Sequence, residues 1–507
     1  MVIATVQGIT DDPRGYAVAV DPAIPEYPSS FTNTRAEFVW LGSEVTGSSS
    51  YGLYKLKLVS TASATGTPRD VKFVAVSNGN IRTFTTSAIS TPSGSPTLDS
   101  SSQFISSAVI YRKLYLSDGL SYKVYDPKTD TVSTHTASSA GTIPPRCKLM
   151  CSWRNRLVLA RDPDNPSNYF MSAVGDPANW DFFPPDSPIP TQALKGVNAV
   201  PGRPSDLINT LIPYSDDLLI IGGERSIRRF TGDPAAGGQI DLISDTYGTG
   251  FGPCWAKAPD GTLYVYMSRG GVLRMAPNSI PVPITDGVIE RRFRAIDLST
   301  YYMLLVWDIR EFGLRVYQIP YAGHSGSTAV KMWFWSQKTN AWMEDEFGKS
   351  GSIDTRPTFA CNLDGDGESA RVMVQGSQDG YIRLVSESAK TDDTVPIDAR
   401  VVLGPFVGEA AEYESKVTSM DALLSLSQDG CIYQAYMSDY PDALGGIVRH
   451  GELVPGRNKV PLRMSGSALW VRLRNVSQNV GDSGTRFAIE SVHFDIHRGG
   501  RKRGLSR

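Results

Sequence analysis

The stretch that decides the fold runs from Tyr301 to Phe347 and reads YYMLLVWDIREFGLRVYQIPYAGHSGSTAVKMWFWSQKTNAWMEDEF. Four runs rich in β-branched and aromatic residues follow one another within it, separated by turn-forming residues. These runs are Tyr301–Trp307, Gly313–Ile319, Ala329–Trp335 and Ala341–Phe347. Four consecutive short strands within about 45 residues are typical of one blade of a β-propeller.

Hairpins of one kind recur along the chain, each with a glycine in the turn, where a positive φ is favourable. They span Lys72–Phe84, Lys113–Tyr125, Asp217–Phe230, Thr262–Met275, Leu304–Ile319, Arg371–Val385 and Leu423–Met437. Turn glycines Gly79 and Gly119 are 40 residues apart, and Gly271 and Gly313 are 42 apart. Propeller blades repeat about every 40 to 50 residues, so the spacing favours a propeller-like body over the alternative of stacked sandwiches.

The sequence pattern changes near Thr394. Between Ala399 and Ile496, seven short strand candidates alternate with Gly, Pro and Asn turns, which is typical of a β-sandwich and includes the last of the hairpins. We therefore predict an all-β chain with a β-propeller-like body and an added C-terminal antiparallel β-sandwich. The predicted parts are an N-terminal segment or platform (1–60), the propeller-like domain (61–393), the sandwich (394–497) and a flexible basic tail (498–507).

Composition and charge restrict the function classes. The 507 residues include 50 Lys and Arg against 52 Asp and Glu, a net charge of -2, so affinity for nucleic acid requires a local basic patch. The sequence shows no signal-peptide pattern and no apolar run long enough to span a membrane, which predicts a soluble protein made in the cytoplasm. Its 5 cysteines do not form the pattern of a disulfide framework and are interpreted as structural thiols.

Two groups of residues have the spacing of metal ligands. The segment Asn362–Gly367 carries oxygen ligands at alternate positions, as a calcium loop does, but Met373 stands where the bidentate Glu belongs. His493, Asp495 and His497 alternate and would share one face of a strand. A tight Asp-Gly turn and a polar strand edge are the favoured interpretations. We expect no catalytic residues, no cofactor and no metal, and hence no enzyme.

Aromatic and basic clusters give two further hypotheses. Four tryptophans alternate within strand candidates and could bind sugar, although a place in the core is the favoured interpretation: Trp307, Trp333, Trp335 and Trp342. The cations best placed to contact DNA phosphates or a neighbouring subunit follow the last strand: Arg498, Arg501, Lys502, Arg503 and Arg507. A glycan-binding or glycan-degrading propeller protein acting at a host surface therefore remains the alternative function.

One segment resembles a known family. Trp153–Phe183 has an Asn-Arg-Leu strand followed by Ser-Ala-x-Gly-Asp-Pro-x-x-Trp, a pattern found in tail proteins of short-tailed bacteriophages. The matching residues are Asn155, Arg156, Leu157, Ser172, Ala173, Gly175, Asp176, Pro177 and Trp180. Leu218–Met275 and the closing stretch Val492–Gly504 are also similar, so that the resemblance extends over about half of the chain. The family resembled is that of the tail nozzle or tail-hub proteins, also called packaged-DNA stabilisation proteins.

The resemblance implies a structural role in the virion, within the phage tail. Proteins of this family combine a β-propeller with added β domains and form homo-oligomeric rings, usually hexamers, beneath the portal and adaptor proteins. Tail fibre, spike or needle proteins lie below such a ring, and double-stranded DNA is retained by it and then conducted through it during ejection. A near-neutral, β-rich chain suits a channel wall that must not grip a polyanion.

Overall fold

The computed structural model of the chain describes residues 2–3, 31–32, 50–57 and most of 71–501. Within that last range, the gaps of four or more residues are 85–88, 100–103, 183–188, 322–329, 365–370, 386–390, 408–412, 439–445 and 476–484. The described residues form 43 β-strands and one short α-helix. The chain is therefore all-β, as predicted.

Two strands come from the N-terminal residues, β1 (Val2–Ile3) and β2 (Phe31–Thr32). The first blade contains β3 (Ser50–Lys57), β4 (Val71–Ser77), β5 (Asn80–Phe84) and β6 (Ile89–Ser90). The second contains β7 (Ser93–Gly94), β8 (Ser106–Ile110), β9 (Lys113–Ser117), β10 (Tyr122–Asp126) and β11 (Thr131–Thr134). In both sheets consecutive full-length strands are antiparallel neighbours, as in a meander.

The third blade contains β13 (Leu149–Trp153), β14 (Arg156–Ala160), β15 (Tyr169–Met171) and β17 (Leu194–Lys195), beside a small sheet of β12 (Ala140–Gly141) and β16 (Asn179–Trp180). The fourth contains β18 (Ile208–Ser215), β19 (Leu218–Gly223), β20 (Ile227–Asp233) and β21 (Ala236–Ser244). The fifth contains β22 (Trp255–Lys257), β23 (Leu263–Tyr266), β24 (Val272–Met275) and β25 (Val282–Pro283), and is followed by α1 (Glu290–Arg294).

The sixth blade contains β26 (Tyr301–Asp308), β27 (Gly313–Pro320), β28 (Val330–Ser336) and β29 (Ala341–Phe347), so the four strands predicted there are confirmed. A small hairpin follows, β30 (Lys349–Ser350) and β31 (Ile353–Asp354). The seventh blade contains β32 (Pro357–Asp364), β33 (Arg371–Ser377) and β34 (Ile382–Val385). The N-terminal strand β2 completes it by pairing with β34.

The blades close into a ring. The inner strands are β3, β8, β13, β18, β22, β26 and β32. Inner strands lie side by side in the pairs β8–β13, β13–β18, β22–β26, β26–β32 and β32–β3. Apolar side chains fill the layers between the blades, for example Leu116 and Val132 between the first and second blades and Trp153 and Phe230 between the third and fourth. The described residues thus form a β-propeller-like body of seven blades.

A β-sandwich follows the propeller. A small hairpin, β35 (Thr391–Asp392) and β36 (Val395–Pro396), precedes it. The sandwich strands are β37 (Arg400–Val407), β38 (Tyr413–Leu424), β39 (Cys431–Ser438), β40 (Gly446–Leu453), β41 (Gly456–Gly466), β42 (Ala468–Asn475) and β43 (Ile489–Arg501). They form two sheets with the orders β37-β42-β39-β40 and β1-β43-β38-β41. The buried cluster between them is continuous with the apolar layer of the sixth and seventh blades.

Three sequence predictions differ from the observed strands. The hairpin predicted over Leu423–Met437 is wrong, because β38 has partners on both sides in one sheet and β39 lies in the other. The strands of residues 1–60 do not stand apart, since β1 joins the sandwich, β2 the seventh blade and β3 the first. Strand β43 continues past position 497 to Arg501, because β38 offers it backbone partners as far as Tyr413.

Candidate functional site

The propeller encloses a central channel along its axis. The inner strands of the second to seventh blades line a space of about 600 Å³. One residue from each of these six blades represents the lining: Val109, Ser152, Pro213, Trp255, Val306 and Cys361. Its volume lies within the range of small-molecule sites, about 300 to 1,000 Å³.

A second, more polar pocket of about 410 Å³ lies at one mouth of the channel, between the second, third and fourth blades. Its lining includes Tyr111, Arg154, Asn155 and Asp216, and it shares Val109 with the channel. Arg154 donates from Nη2 to Oδ1 of Asp217 at 2.7 Å and from Nε to the Asp216 carbonyl at 2.9 Å. The Tyr111 hydroxyl donates to the Asn155 carbonyl at 3.3 Å. This rim pocket is the polar entrance to an otherwise largely apolar channel.

The turn between β13 and β14 places Arg154 and Asn155 in the rim pocket. Both residues have positive φ, 49° and 55°, as a two-residue type I′ turn requires. Trp153 and Arg156 on either side of the turn form the last pair of the hairpin. The local backbone therefore directs the turn towards the channel mouth, while the strands on either side run into the blade.

Arg156 is the centre of a buried hydrogen-bond network in the third blade. Its side chain is 1% exposed and donates from Nη1 to the carbonyls of Ser172 and Gln192, both at 2.7 Å. Nη2 donates to the Pro190 carbonyl at 2.5 Å. Burial lowers the pKa of the guanidinium to about 10, which still leaves it charged at neutral pH. One cation thus ties β14 to the long connection that follows β15.

The other residues of the phage-tail resemblance belong to the same unit. The Ser172 hydroxyl accepts from the Leu157 N–H at 3.0 Å, and the Gly175 N–H donates to the Asn155 carbonyl at 3.1 Å. Asp176 closes a turn by accepting from the Ala178 N–H at 3.0 Å, and Trp180 is fully buried. The matched residues therefore fold together into one structural element.

The predicted contact residues after the last strand are only partly described. Arg498 and Arg501 lie in β43, where their backbones pair with Ser415 and Tyr413. Lys502, Arg503 and Arg507 lie outside the described residues. The structure therefore brings the backbones of two of the five predicted residues into the sandwich sheet and leaves the others without a placement.

The described residues of the two candidate metal segments make hydrogen bonds within the protein. In β32, Asn362 donates from Nδ2 to the Trp307 carbonyl at 2.6 Å, while Asp366 and Gly367 lie outside the described residues. On β43, Asp495 accepts from the Ser419 hydroxyl at 2.6 Å. Among the residues that the structure describes, no group of three His, Cys, Asp or Glu side chains is placed to hold a metal ion.

The predicted tryptophan cluster lies in the core. All four side chains are at most 4% exposed, which confirms the favoured interpretation: Trp307, Trp333, Trp335 and Trp342. Trp333 donates from Nε1 to Oε2 of Glu344 at 3.0 Å, and Lys331 donates to the other oxygen of that carboxylate at 2.6 Å. Burial opposes ionisation of Glu344, but its ion pairs with Lys331 and Arg292 outweigh that effect and lower the pKa of the carboxyl.

The pKa of Asp345, which lies on the opposite face of β29 from Glu344, shifts in the opposite direction. Burial raises the pKa of its carboxyl to about 7, Arg315 opposes the rise and Glu344 adds to it. The folded state therefore holds the proton more strongly than the unfolded chain, and stability falls as the pH rises from about 4 to about 7. We expect Asp345→Asn to raise the free energy of unfolding by about 1–3 kcal/mol at pH 8 and to change it little at pH 4.

Denaturant unfolding of the two proteins across this pH range measures the effect. Asp217→Asn is the matched control, because the Asp217 carboxylate is 89% exposed and its substitution should give a small, pH-independent change. An equal effect of Asp345→Asn at pH 4 and pH 8 would contradict the prediction.

The fold defines the chain as a β-propeller-like protein with an attached β-sandwich. No family model matches the sequence, and no curated protein matches it. Among solved structures, it is similar to two crystal structures of the extracellular domain of BT4673 from B. thetaiotaomicron, with 11% and 10% identity and a TM-score of 0.45 in both cases. The alignments cover 71% and 81% of this chain but only 40% and 43% of those chains.

A third similar structure is YCF48 bound to a D1 peptide, with 11% identity and a TM-score of 0.38. That alignment covers 70% of this chain and 98% of the YCF48 chain. The chain spans about two fifths of the length of the first two structures. Identities of 10–11% carry no information on function. Among the described residues, no helix has the length and apolar character needed to cross a membrane.

Proposed function

We propose that the protein is a structural, non-enzymatic subunit of the tail of a short-tailed bacteriophage, in the position of the nozzle or tail hub. In this proposal, copies of the chain form a ring, a hexamer by the resemblance, beneath the portal and adaptor proteins. Tail fibre, spike or needle proteins attach below. The ring retains double-stranded DNA in the virion and conducts it during ejection.

The observation that carries the proposal is the hydrogen-bonded unit of the third blade. The residues that resemble the phage-tail pattern are spread over 26 positions, from Asn155 to Trp180, yet they meet in space. Arg156 binds the Ser172 carbonyl, and Gly175 binds the Asn155 carbonyl. A pattern whose residues support one another physically is better support for a shared architecture than the same letters in unrelated loops.

The size of the channel bears on the path of the DNA. A space of about 600 Å³ within one subunit has the volume of a small-molecule site, and a duplex needs far more. The DNA path in the proposed ring therefore lies between subunits, on the ring axis. The near-neutral net charge of -2 favours weak contacts with the phosphates, which suits a conduit.

Two measurements test this function. Class averages of the purified assembly are expected to show rotational symmetry around a central opening. Phage particles assembled without the subunit are expected to lose their DNA to added nuclease, and particles complemented with the full chain to retain it. Particles that keep their DNA equally well without the subunit would overturn the proposal.

The rim pocket favours a second candidate, a glycan-binding or glycan-degrading protein at the host surface. Tyr111 offers an aromatic ring and Asp216 a carboxylate beside a pocket of about 410 Å³. The test is incubation of the purified protein with host surface polysaccharide, followed by assays of binding and of hydrolysis. Hydrolysis that Asp216→Asn abolishes would support an enzyme, binding without turnover would support a receptor module, and neither result would support the structural role.

A further inference from the structure

The edge of one sandwich sheet is open to solvent along most of its length. Among the strands that the structure describes, β40 is the last of its sheet and pairs with β39 on one side only. Every residue from Gly446 to His450 is exposed, including the apolar side chains of Ile447 (51%) and Val448 (50%). An edge strand presents unpaired backbone N–H and C=O groups, so exposed apolar residues on it favour addition of another strand.

The side chains on one face of this edge have a symmetric order. His450 and Glu452 occupy alternate positions in the regularly paired part of β40, so their side chains share one face of the strand. His450 and Glu452 lie opposite Gln434 and Ile432 of β39 and are exposed. They lie one residue on either side of Gly451, so the imidazole is matched by the carboxylate about this glycine.

We propose that β40 pairs with β40 of a second copy of this chain, antiparallel and centred on Gly451. In this register, His450 of each copy lies opposite Glu452 of the other. Two imidazole–carboxylate hydrogen bonds form across the pair. A two-fold axis through the glycine requires this kind of pairing, since each residue and its partner must exchange places.

The local geometry of the strand suits this contact. From Arg449 to Leu453, β40 pairs with β39 in regular register, so the five central residues are straight enough to accept a second strand. The register shift lies beyond them, at Val448. Arg449 donates from Nε to the Leu462 carbonyl of the facing sheet at 3.3 Å, which turns its charge away from the edge.

This contact is separate from the proposed ring. A two-fold contact uses the same surface on both subunits, whereas a cyclic ring needs two different surfaces on each subunit. Either contact, the ring interface or the β40 pair, can therefore be absent while the other is present. Loss of the ring with retention of the dimer would count against the proposed function alone.

Charge reversal with rescue tests the pairing in the full-length protein. Sedimentation velocity over a concentration series is expected to show a monomer–dimer equilibrium for the natural sequence. His450→Glu should weaken dimerisation at least tenfold, because it places two carboxylates opposite each other twice in the interface. The double variant His450→Glu, Glu452→His restores complementary pairs and should recover the affinity to within about threefold.

His497→Glu is the matched control, since it makes the same chemical change at an exposed position of the other sheet. It should leave the equilibrium unchanged. A natural chain that is monomeric at all concentrations, a His450→Glu variant that dimerises normally, or a double variant without rescue would each overturn the proposal.

Discussion

Replacing Arg315 with methionine is expected to lower the free energy of unfolding by about 3–5 kcal/mol. Arg315 and Asp308 form an ion pair of 2.8 Å between Nε and Oδ2, with side chains only 2% and 8% exposed. The guanidinium also lies over the Phe334 ring, 5.2 Å from its centroid. Burial opposes its charge, but Asp308 outweighs that effect and raises the pKa of Arg315. Removing the cation leaves a carboxylate buried without its partner, and urea unfolding measures the loss.

Two variants distinguish the contribution of the ion pair from an unspecific loss of stability. In Asp308→Asn with Arg315→Met, neither charge of the Asp308–Arg315 pair is left alone, and the introduced amide keeps an oxygen for the backbone N–H groups of Arg310 and Glu311. The double variant should therefore lose clearly less than the sum of the single losses. Arg457→Met removes an exposed ion pair with Asp421 and should cost less than about 1 kcal/mol. Additive losses in the buried pair would contradict the assigned coupling.

Replacing Arg156 with methionine is expected to cost a similar amount, about 3–5 kcal/mol. The three carbonyls that it binds, of Ser172, Pro190 and Gln192, would lose their charged donor inside the third blade. Arg156→Lys should be intermediate, because an ammonium cannot reproduce the planar fork of the guanidinium. Thermal unfolding, together with limited proteolysis of the connection after β15, reports both the global and the local effect.

Arg154→Asn provides the control two residues away. It removes the partly exposed bridge to Asp217, while asparagine tolerates the positive φ of 49° at this position. The expected change is below about 1 kcal/mol. An Arg156→Met protein as stable as Arg154→Asn would show that the network is not a structural centre of the blade.

The sequence pattern is sufficient for most of the blades. Six of the seven predicted hairpins are present in the propeller, and at Gly79 and Gly119 the turns have the positive φ expected, 74° and 78°. Gly313 differs, because it is the first residue of β27 and the positive φ lies at Phe312, whereas Gly271 has a positive φ in the turn between the second and third strands of its blade. The regular spacing therefore mixes two kinds of turn.

The hairpin of the third blade lacks the glycine pattern, although this blade carries the resemblance to phage tail proteins. Its tight turn consists of Arg154 and Asn155, which reach positive φ without a glycine. Its next turn is a longer connection between Ala160 and Tyr169. A glycine-turn pattern cannot reveal either turn, and only the strand patterns on both sides of Arg154 and Asn155 carry a signal.

In the sandwich, local turn residues do not predict which strands pair. The stretch around Gly430 has the same turn residues as the true hairpins, yet its two strands lie in different sheets. The length of β38, 12 residues, lets it pair with β41 and β43 at once, and no edge remains for β39. Which strands fill those edges depends on residues far away in sequence. The rim pocket also depends on residues far apart in sequence, since Tyr111, Arg154 and Asp216 come from three blades.

Strands β1 and β2 complete sheets whose other strands are synthesised much later. β1 pairs with His493 and Phe494, and β2 with Leu384 and Val385, so hundreds of residues separate each strand from its partner. On the ribosome, the first blades can form while these two strands still have nothing to bind. Completion of each domain must then follow synthesis of the distant partner, at a rate slowed by the entropy of closing such long loops. Chains cut short before these partners would carry two strands with nothing to pair with and be prone to aggregate.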